Sequence, residues 1–144
     1  MIFLLCDHAG FDLKESIKNR LFKKGYDIVD VGAFTKDDND DFSTYINLVK
    51  KSFDCSKKED KIIAVCGSGV GMNIGLNKIK GVRCVVGHNV KEVQTAREHN
   101  NINALALGGR CVGEISAYKM IDTFLSTVAL GGKYKKRMDD IEIK

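Results

Sequence analysis

Five short apolar runs, rich in β-branched residues, recur along the chain with longer amphipathic stretches between them. The runs cover residues 2–6, 27–31, 62–66, 82–86 and 104–107. Each run is nearly continuous in apolar residues, whereas a half-exposed strand would alternate apolar and polar positions. The runs therefore predict strands that are covered on both faces of a sheet.

The stretches between the runs follow the spacing of amphipathic helices. Leu13, Ile17 and Leu21 recur at four-residue spacing, and Gly25 follows as a helix stop. Similar patterns predict helices over residues 45–53, 70–79, 90–99 and 115–130. This alternation predicts an α/β fold with a parallel sheet and right-handed crossovers. A length of 144 residues without a repeat or linker predicts a single domain over residues 1–144.

The predicted topology indicates where a ligand would bind, because ligands of open parallel sheets lie at the carboxyl ends of the strands. Polar residues and glycines follow all five predicted strands at that edge. In chain order they are Asp7 and His8; Gly32 and an acidic stretch at 37–41; Cys66 and a glycine loop; Gly87, His88 and Asn89; and Gly108, Gly109 and Arg110. The acidic stretch is predicted to be a surface loop, since five polar residues are costly to bury.

The glycine loop reads Gly-Ser-Gly-Val-Gly at residues 67–71. It lacks the Lys-Ser/Thr ending of a P-loop and the glycine spacing of a dinucleotide site. Glycines at the start of a helix let several N–H groups converge beside the positive end of the helix dipole. The loop therefore predicts a site for an oxyanion or a phosphate, although a tight strand-to-helix turn also needs glycine.

The chain has five cysteines in an odd, widely spaced set: Cys6, Cys55, Cys66, Cys84 and Cys111. This set argues against a disulfide framework, a zinc site and a thioredoxin-type couple, and it favours a reducing cytoplasm. Cys66 precedes the glycine loop, where the helix dipole favours a reactive thiolate. The other four are predicted to be buried small hydrophobes.

The formal net charge is +4, and much of the excess lies at residues 133–137. This basic run is either a solvated helix face or a grip for an anion. Nucleic acid is disfavoured as a partner, because residues 37–41 are acidic and no aromatic–basic alternation appears. No apolar run is long enough to cross a membrane. The apolar residues 2–6 are predicted to form a strand and not a signal peptide.

Four segments together carry a family resemblance: CDHAGFDLK at 6–14, CGSGVGMNIGLNKIKGVR at 66–83, REHNNINALALGGR at 97–110 and GGKYKKR at 131–137. The chain resembles the ribose-5-phosphate isomerase B family, which also includes galactose-6-phosphate and allose-6-phosphate isomerases. The resemblance covers essentially the whole chain. It implies a Rossmann-like three-layer α/β/α fold, in a homodimer or homotetramer with sites across the dimer interface.

The resemblance also implies an activity: interconversion of ribose 5-phosphate and ribulose 5-phosphate through an enediolate, without a metal or coenzyme. This reaction belongs to the non-oxidative branch of the pentose phosphate pathway. Cys66 matches the base that moves a proton between carbons 1 and 2, and Ser68 matches a hydroxyl that shuttles protons between the oxygens. His99 matches the residue that opens the sugar ring. The resemblance implies contacts to the enediolate from the backbone of Gly67, Gly69, Val70 and Gly71. It implies contacts to sugar hydroxyls from Asp7 and Asn100. It implies contacts to the phosphate from His8, Arg110, Lys133 and Arg137.

Two positions depart from the family pattern. Phe42 stands where relatives carry a tyrosine, and Lys133 stands where they usually carry an arginine, which would bind phosphate bidentately. Several alternatives stay open: an isomerase of allose 6-phosphate or galactose 6-phosphate, a noncatalytic sugar-phosphate-binding module, and a cysteine redox protein. The galactose-6-phosphate enzymes use two dissimilar subunits, so a complete residue set on one chain argues against them. The absence of a resolving cysteine at short spacing argues against the redox protein.

Overall fold

A computed structural model describes all 144 residues, and a central sheet of five parallel strands organises them. The strand order is β2-β1-β3-β5-β4, and every neighbouring pair is parallel. The strands are β1 (Ile2–Cys6), β2 (Ile28–Gly32), β3 (Lys61–Cys66), β4 (Cys84–Val86) and β5 (Ala104–Gly108). The predicted α/β fold with a parallel sheet is therefore confirmed.

The chain has six helices, and five of them cover the two faces of this sheet. They are α1 (Phe11–Lys23), α2 (Phe42–Ser52), α3 (Val70–Leu76), α4 (Val90–Asn100), α5 (Glu114–Ser126) and α6 (Lys133–Ile141). Helices α1, α4 and α5 bury their apolar residues against one face, and α2 and α3 pack against the other. Successive residues of a strand face opposite cores, so Val65 belongs to the first core and Cys66 to the second. The result is the three-layer α/β/α arrangement that the resemblance implies.

The main difference from the predicted elements lies at the carboxyl end of the chain. The helix predicted over residues 115–130 ends at Ser126, because Thr127 takes an extended conformation with ψ of 128°. The chain then crosses to α4, where the N–H of Leu130 donates to the carbonyl of Glu98 at 2.9 Å. After a glycine pair the basic run forms α6, a separate helix that contacts α4. Elsewhere the predicted strands and helices shift or shorten by up to three residues.

A buried lysine fixes the segment that leads from β2 towards the carboxyl edge. Lys14 of α1 is fully buried, and its ammonium donates to both carboxylate oxygens of Asp30 and to the carbonyl of Ala33 at 2.8 Å. Lys18 binds the same carboxylate at 2.9 Å. Although burial opposes ionisation, these hydrogen bonds lower the pKa of Asp30. The ion pair therefore holds the end of β2 to α1. None of the helices is both long and apolar enough to cross a lipid bilayer.

Candidate active site

A pocket of about 400 Å³ opens at the carboxyl edge of the sheet, around the Cys66 thiol. We call it the thiol pocket. Its lining comes from the ends of β1, β3 and β5 and from the start of α2: Asp7, Phe42, Cys66, Gly67, Ser68, Gly71, Arg110 and Cys111. The predicted gathering of polar residues at this edge is confirmed for the loops after those three strands.

The glycine loop turns sharply from β3 into α3 and brings its backbone against the thiol. Gly69 has a φ of +81°, and its N–H donates to Cys66 Sγ at 3.2 Å. A side chain at Gly69 would place its Cβ 3.1 Å from the carbonyl carbon of Leu107, so the turn fits closely against β5. The sulfur therefore accepts a hydrogen bond at the start of α3. Cys66 as a whole is only 5% exposed.

Several amides of the same loop are free to bind an anion. The N–H groups of Gly67, Ser68 and Gly71 have no acceptor within the chain. The N–H of Val70 donates to Ser68 Oγ at 3.2 Å, which fixes that hydroxyl at the pocket surface. Unpaired N–H groups beside a helix start can bind an oxyanion, which is the kind of site that the sequence predicts here.

Arg110 supplies a cation to the same pocket. The loop after β5 is tied to the glycine loop, because the N–H of Gly109 donates to the Cys66 carbonyl at 2.7 Å and that of Arg110 to the Gly67 carbonyl at 3.0 Å. The Arg110 guanidinium lies over Gly67, where an added Cβ would be 3.1 Å from Nη1. It forms no salt bridge within the chain. A free guanidinium is therefore positioned to bind a phosphate or a sugar oxygen.

Asp7 and His8 lie where β1 ends. One carboxylate oxygen of Asp7 accepts from the N–H groups of Ala9 and Gly10 at 2.9 and 3.2 Å, which caps a short 3₁₀ turn. The His8 Nδ1 lies 2.8 Å from a carboxylate oxygen of Asp40. The hydrogen bond that His8 Nδ1 makes to the Asp40 carboxylate raises the pKa of His8. The loop over residues 37–41 is exposed except at half-buried Asp40, so the prediction of a plain surface loop is wrong at that residue.

The remaining cysteines divide into two pairs. Cys6 and Cys84 are buried as predicted, and burial raises the pKa of the Cys6 thiol to about 12 and that of Cys84 still further. Cys55 and Cys111 are exposed, so their prediction as buried hydrophobes is wrong. Both lie in loops outside the apolar layers, and Cys111 lines the thiol pocket itself. All five are free thiols.

The other predicted site residues lie at the opposite edge of the sheet, in a group that we call the basic cluster. It comprises His99, Asn100, Lys133, Tyr134 and Arg137. The His99 ring stacks on Tyr134 with centroids 4.3 Å apart and planes 8° from parallel. The ammonium of Lys133 and the guanidinium of Arg137 lie 5.3 and 5.8 Å from the centroid of that same tyrosine ring.

The end of α4 sets the position of the basic cluster. Arg97 is buried and donates to the Thr127 carbonyl at 3.1 Å and to Asn101 Oδ1 at 3.0 Å, and it also binds the Ile102 carbonyl. Asn101 takes a left-handed conformation with φ of 45° and ends the helix. His99 is thus held beside a groove of about 510 Å³.

A single chain does not bring the two groups together. The groove beside His99 includes Lys61, the first residue of β3, whereas Cys66 is the last residue of that strand. At about 3.3 Å per residue, the length of β3 alone separates the two edges by roughly 16 Å. The structure therefore splits the predicted site residues into two sets that face opposite ends of the sheet.

A model of the ribose/galactose isomerase family matches residues 2–141. The chain belongs to the ribose/galactose isomerase family. One curated relative, the probable ribose-5-phosphate isomerase B of Mycoplasma genitalium, is 36% identical over 97% of this chain and 92% of its own length. The Escherichia coli ribose-5-phosphate isomerase B is 35% identical over 94% of this chain and 90% of its own length.

Solved structures of family members share the fold over nearly the whole chain. The Thermotoga maritima ribose 5-phosphate isomerase is 38% identical with a TM-score of 0.91, and the alignment covers 98% of this chain and 96% of that one. The Mycoplasma genitalium enzyme with bound ribulose-5-phosphate is 37% identical with a TM-score of 0.88, and covers 97% and 92%. The resemblance identified from the sequence motifs is therefore confirmed.

Three site features escaped the sequence analysis. Asp40 was assigned to a solvated loop, Cys111 to a core, and Tyr134 to the basic run without a role of its own. Each owes its position to a contact with a residue far away in the sequence, such as the pairing of Asp40 with His8 across 32 positions. No local spacing signals such contacts. The departure from the family pattern at Phe42, just after this loop, was the one pointer to it in the sequence.

Proposed function

We propose that this chain is an aldose–ketose isomerase that interconverts ribose 5-phosphate and ribulose 5-phosphate. One observation carries the proposal: the buried Cys66 thiol lies beside free backbone N–H groups and a free arginine in one pocket. Family membership supports it, because the named relatives are ribose-5-phosphate isomerases B and one of them holds ribulose-5-phosphate.

In the proposed mechanism Cys66 acts as the base. Its thiolate removes the proton from carbon 2 of the open-chain aldose, and the same proton returns to carbon 1 to give the ketose. A proton next to a carbonyl is only weakly acidic, so the negative charge that develops on the oxygen needs stabilisation. Each well-aimed N–H donor contributes about 3–4 kcal/mol to that stabilisation. A positioned base contributes a further factor of about 10²–10⁴ in rate.

In the proposed mechanism Ser68 carries out the second proton transfer, which moves a proton between the two substrate oxygens. Its hydroxyl lies in the thiol pocket and accepts the Val70 N–H, so it can relay a proton between the two substrate oxygens. The unpaired carboxylate oxygen of Asp7 is assigned to a sugar hydroxyl. No group of three or more His, Cys, Asp or Glu side chains could hold a metal ion.

The complete site of this proposal requires a second copy of the chain. His99 opens the sugar ring and Asn100 binds a sugar hydroxyl, but both lie at the edge opposite Cys66. A two-fold related partner would bring its basic cluster to the thiol pocket, and its Lys133 and Arg137 would join Arg110 and His8 around the phosphate. A homodimer, or a homotetramer built from such dimers, supplies this symmetry. A reducing cytoplasm is part of the proposal, because all five thiols are free.

The substrate is tested by a coupled assay of the purified protein with ribose 5-phosphate, and with allose 6-phosphate in parallel. Turnover of ribose 5-phosphate with the higher kcat/KM is the expected result. A preference for allose 6-phosphate would reassign the substrate. Binding of both sugars without turnover of either would make the chain a sugar-phosphate-binding module.

The shared site is tested by mixing two inactive variants. Cys66→Ala and His99→Asn chains are unfolded together and refolded, so that mixed dimers form. One of the two sites in each mixed dimer then carries both native residues, which restores about a quarter of the wild-type activity. If both residues acted within one chain, mixing would restore nothing, and the dimeric site would be wrong.

A further inference from the structure

Three side chains form a hydrogen-bonded chain in the two segments that carry Asp7 and Phe42, which line the thiol pocket. His8 Nδ1 lies 2.8 Å from Asp40 Oδ1, and the backbone N–H of His8 donates to the same oxygen at 3.0 Å. The Tyr45 hydroxyl donates to Asp40 Oδ2 at 2.8 Å. The Asp40 side chain is only 10% exposed, and that of His8 is 26% exposed. Both carboxylate oxygens are therefore occupied and fixed.

This arrangement determines which nitrogen of His8 faces a ligand. Because Asp40 accepts at Nδ1, that nitrogen carries a proton, and the opposite nitrogen Nε2 has no partner within the chain. The strongest charges acting on the ring are all acidic: Asp40, Asp7 and Asp38. The hydrogen bond that the ring donates to Asp40 is the largest of these influences and raises the pKa of His8.

Phe42 lines the thiol pocket close to this chain of hydrogen bonds in the sequence, but it cannot donate a hydrogen bond to a ligand. Its ring lies against the start of α3, where a Cβ on Gly71 would be 2.9 Å from the ring, and it offers no hydroxyl to the pocket. The nearby hydroxyl of Tyr45 is engaged by Asp40. Of the three side chains in the hydrogen-bonded chain, only His8 keeps a nitrogen free for a ligand.

We propose that Asp40 is a positioning residue, which holds His8 as an imidazolium and directs its Nε2–H at the phosphate of a bound sugar phosphate. Tyr45 supports it by fixing the second carboxylate oxygen. The inference rests on the proposed function for the identity of the ligand, and on the described contacts for the pairing itself. A charged histidine matches a dianionic phosphate, since a charge-assisted hydrogen bond is about twice as strong as a neutral one.

The test compares Asp40→Asn with Asp38→Asn. Both variants remove one negative charge near His8, but only Asp40 makes a hydrogen bond to the ring. The titration of His8 is followed by NMR, which is tractable because the chain has three histidines. A His8→Gln variant assigns the signal. Tyr45→Phe provides a second, milder perturbation of the same carboxylate.

The expected result is that Asp40→Asn lowers the pKa of His8 well beyond the effect of Asp38→Asn, with Tyr45→Phe between them. At a pH between the His8 pKa values that NMR gives for wild type and Asp40→Asn, KM for ribose 5-phosphate rises about tenfold in Asp40→Asn with kcat within about twofold of wild type, whereas Asp38→Asn leaves both unchanged. The KM defect shrinks towards low pH, where His8 is protonated in every variant.

Equal His8 titrations in wild type and Asp40→Asn, or equal effects of the two aspartate variants, would overturn the inference. The NMR arm separates this outcome from a failure of the proposed function. If the wild type does not turn over ribose 5-phosphate, inorganic phosphate is titrated into the wild type and Asp40→Asn. Weaker phosphate binding by the variant, with a shift of the His8 signal in the wild type, then supports the pairing; equal binding refutes it.

Discussion

Gly69 is the residue where the fold and the proposed chemistry depend most closely on each other. Its left-handed backbone allows the chain to turn from β3 into α3, and its N–H donates to the Cys66 thiol. Gly69→Ala keeps the chain length and adds one methyl group. That methyl would lie 3.1 Å from the Leu107 carbonyl carbon, 3.2 Å from the Gly108 nitrogen and 3.3 Å from Val86 Cγ1.

The magnitude has two parts. An alanine in the left-handed conformation costs about 1–2 kcal/mol. The close approach to the backbone of β5, which has little freedom to move, adds about 1 kcal/mol or more. We therefore expect a loss of about 2–3 kcal/mol in the free energy of unfolding. With an unfolding entropy of about 0.3 kcal/mol/K for a chain of this length, Tm falls by about 7–10 °C.

The effect on activity is expected to be larger than the effect on stability, because relief of the contact moves the N–H that faces Cys66. A displacement of a catalytic group by about 1 Å costs on the order of a hundredfold in rate. The assay measures Tm by calorimetry, and kcat for ribose 5-phosphate at a temperature where the variant stays folded. Gly113→Ala is the matched control, since Gly113 has an ordinary φ of −77° and nothing within 4 Å of an added Cβ. A Gly69→Ala protein with the Tm and kcat of the control would refute this account of the turn.

Three further predictions follow from the ion pair and the basic cluster. Lys14→Met should lower the free energy of unfolding by about 3 kcal/mol in urea titrations, because it leaves the Asp30 carboxylate and the Ala33 carbonyl without their buried donor. Removal of a partly exposed lysine, by comparison, costs below about 1 kcal/mol. The lowered pKa of Asp30 in the folded state stabilises the fold above the ordinary carboxyl pKa of about 3.9, and this stabilisation is lost as the pH falls through the folded pKa. Urea midpoints should therefore fall more steeply with decreasing pH for wild type than for Lys14→Met. Parallel curves for the two proteins would contradict the assignment. Arg137→Ala should raise KM for ribose 5-phosphate about tenfold with little change in kcat, and an unchanged KM, equal to that of the neighbouring Lys136→Ala control, would remove Arg137 from the phosphate site.

The sequence predicted those parts of the molecule that depend on local patterns. The strands were predicted because continuous apolar runs need cover on both faces. The glycine loop was placed correctly at the start of α3, since its glycines and the preceding strand are adjacent along the chain. Cys66 was singled out by the same adjacency.

The features that the sequence did not reveal depend on contacts between distant segments. The strand order depends on which strands pair with each other, for example β3 with β5. Hydrophobic periodicity identifies strands but does not show which strands are neighbours. The end of α5 depends on the crossing of residues 127–130 to α4. Asp40 contacts His8 across 32 positions, in a loop whose preceding segment is anchored by Lys14 and Asp30. The splitting of the predicted site between the two edges of the sheet likewise follows from the antiparallel course of α4 relative to the strands.

The central claim is that Cys66 moves the proton between carbons 1 and 2. It is tested most directly by the turnover of ribose 5-phosphate by Cys66→Ala, after circular dichroism and Tm have shown that the variant keeps the fold. We expect isomerisation to be abolished, while ribose 5-phosphate still protects the variant against thermal unfolding. Wild-type turnover by folded Cys66→Ala would contradict the account, and the thiol would then be a packed residue beside an anion-binding turn.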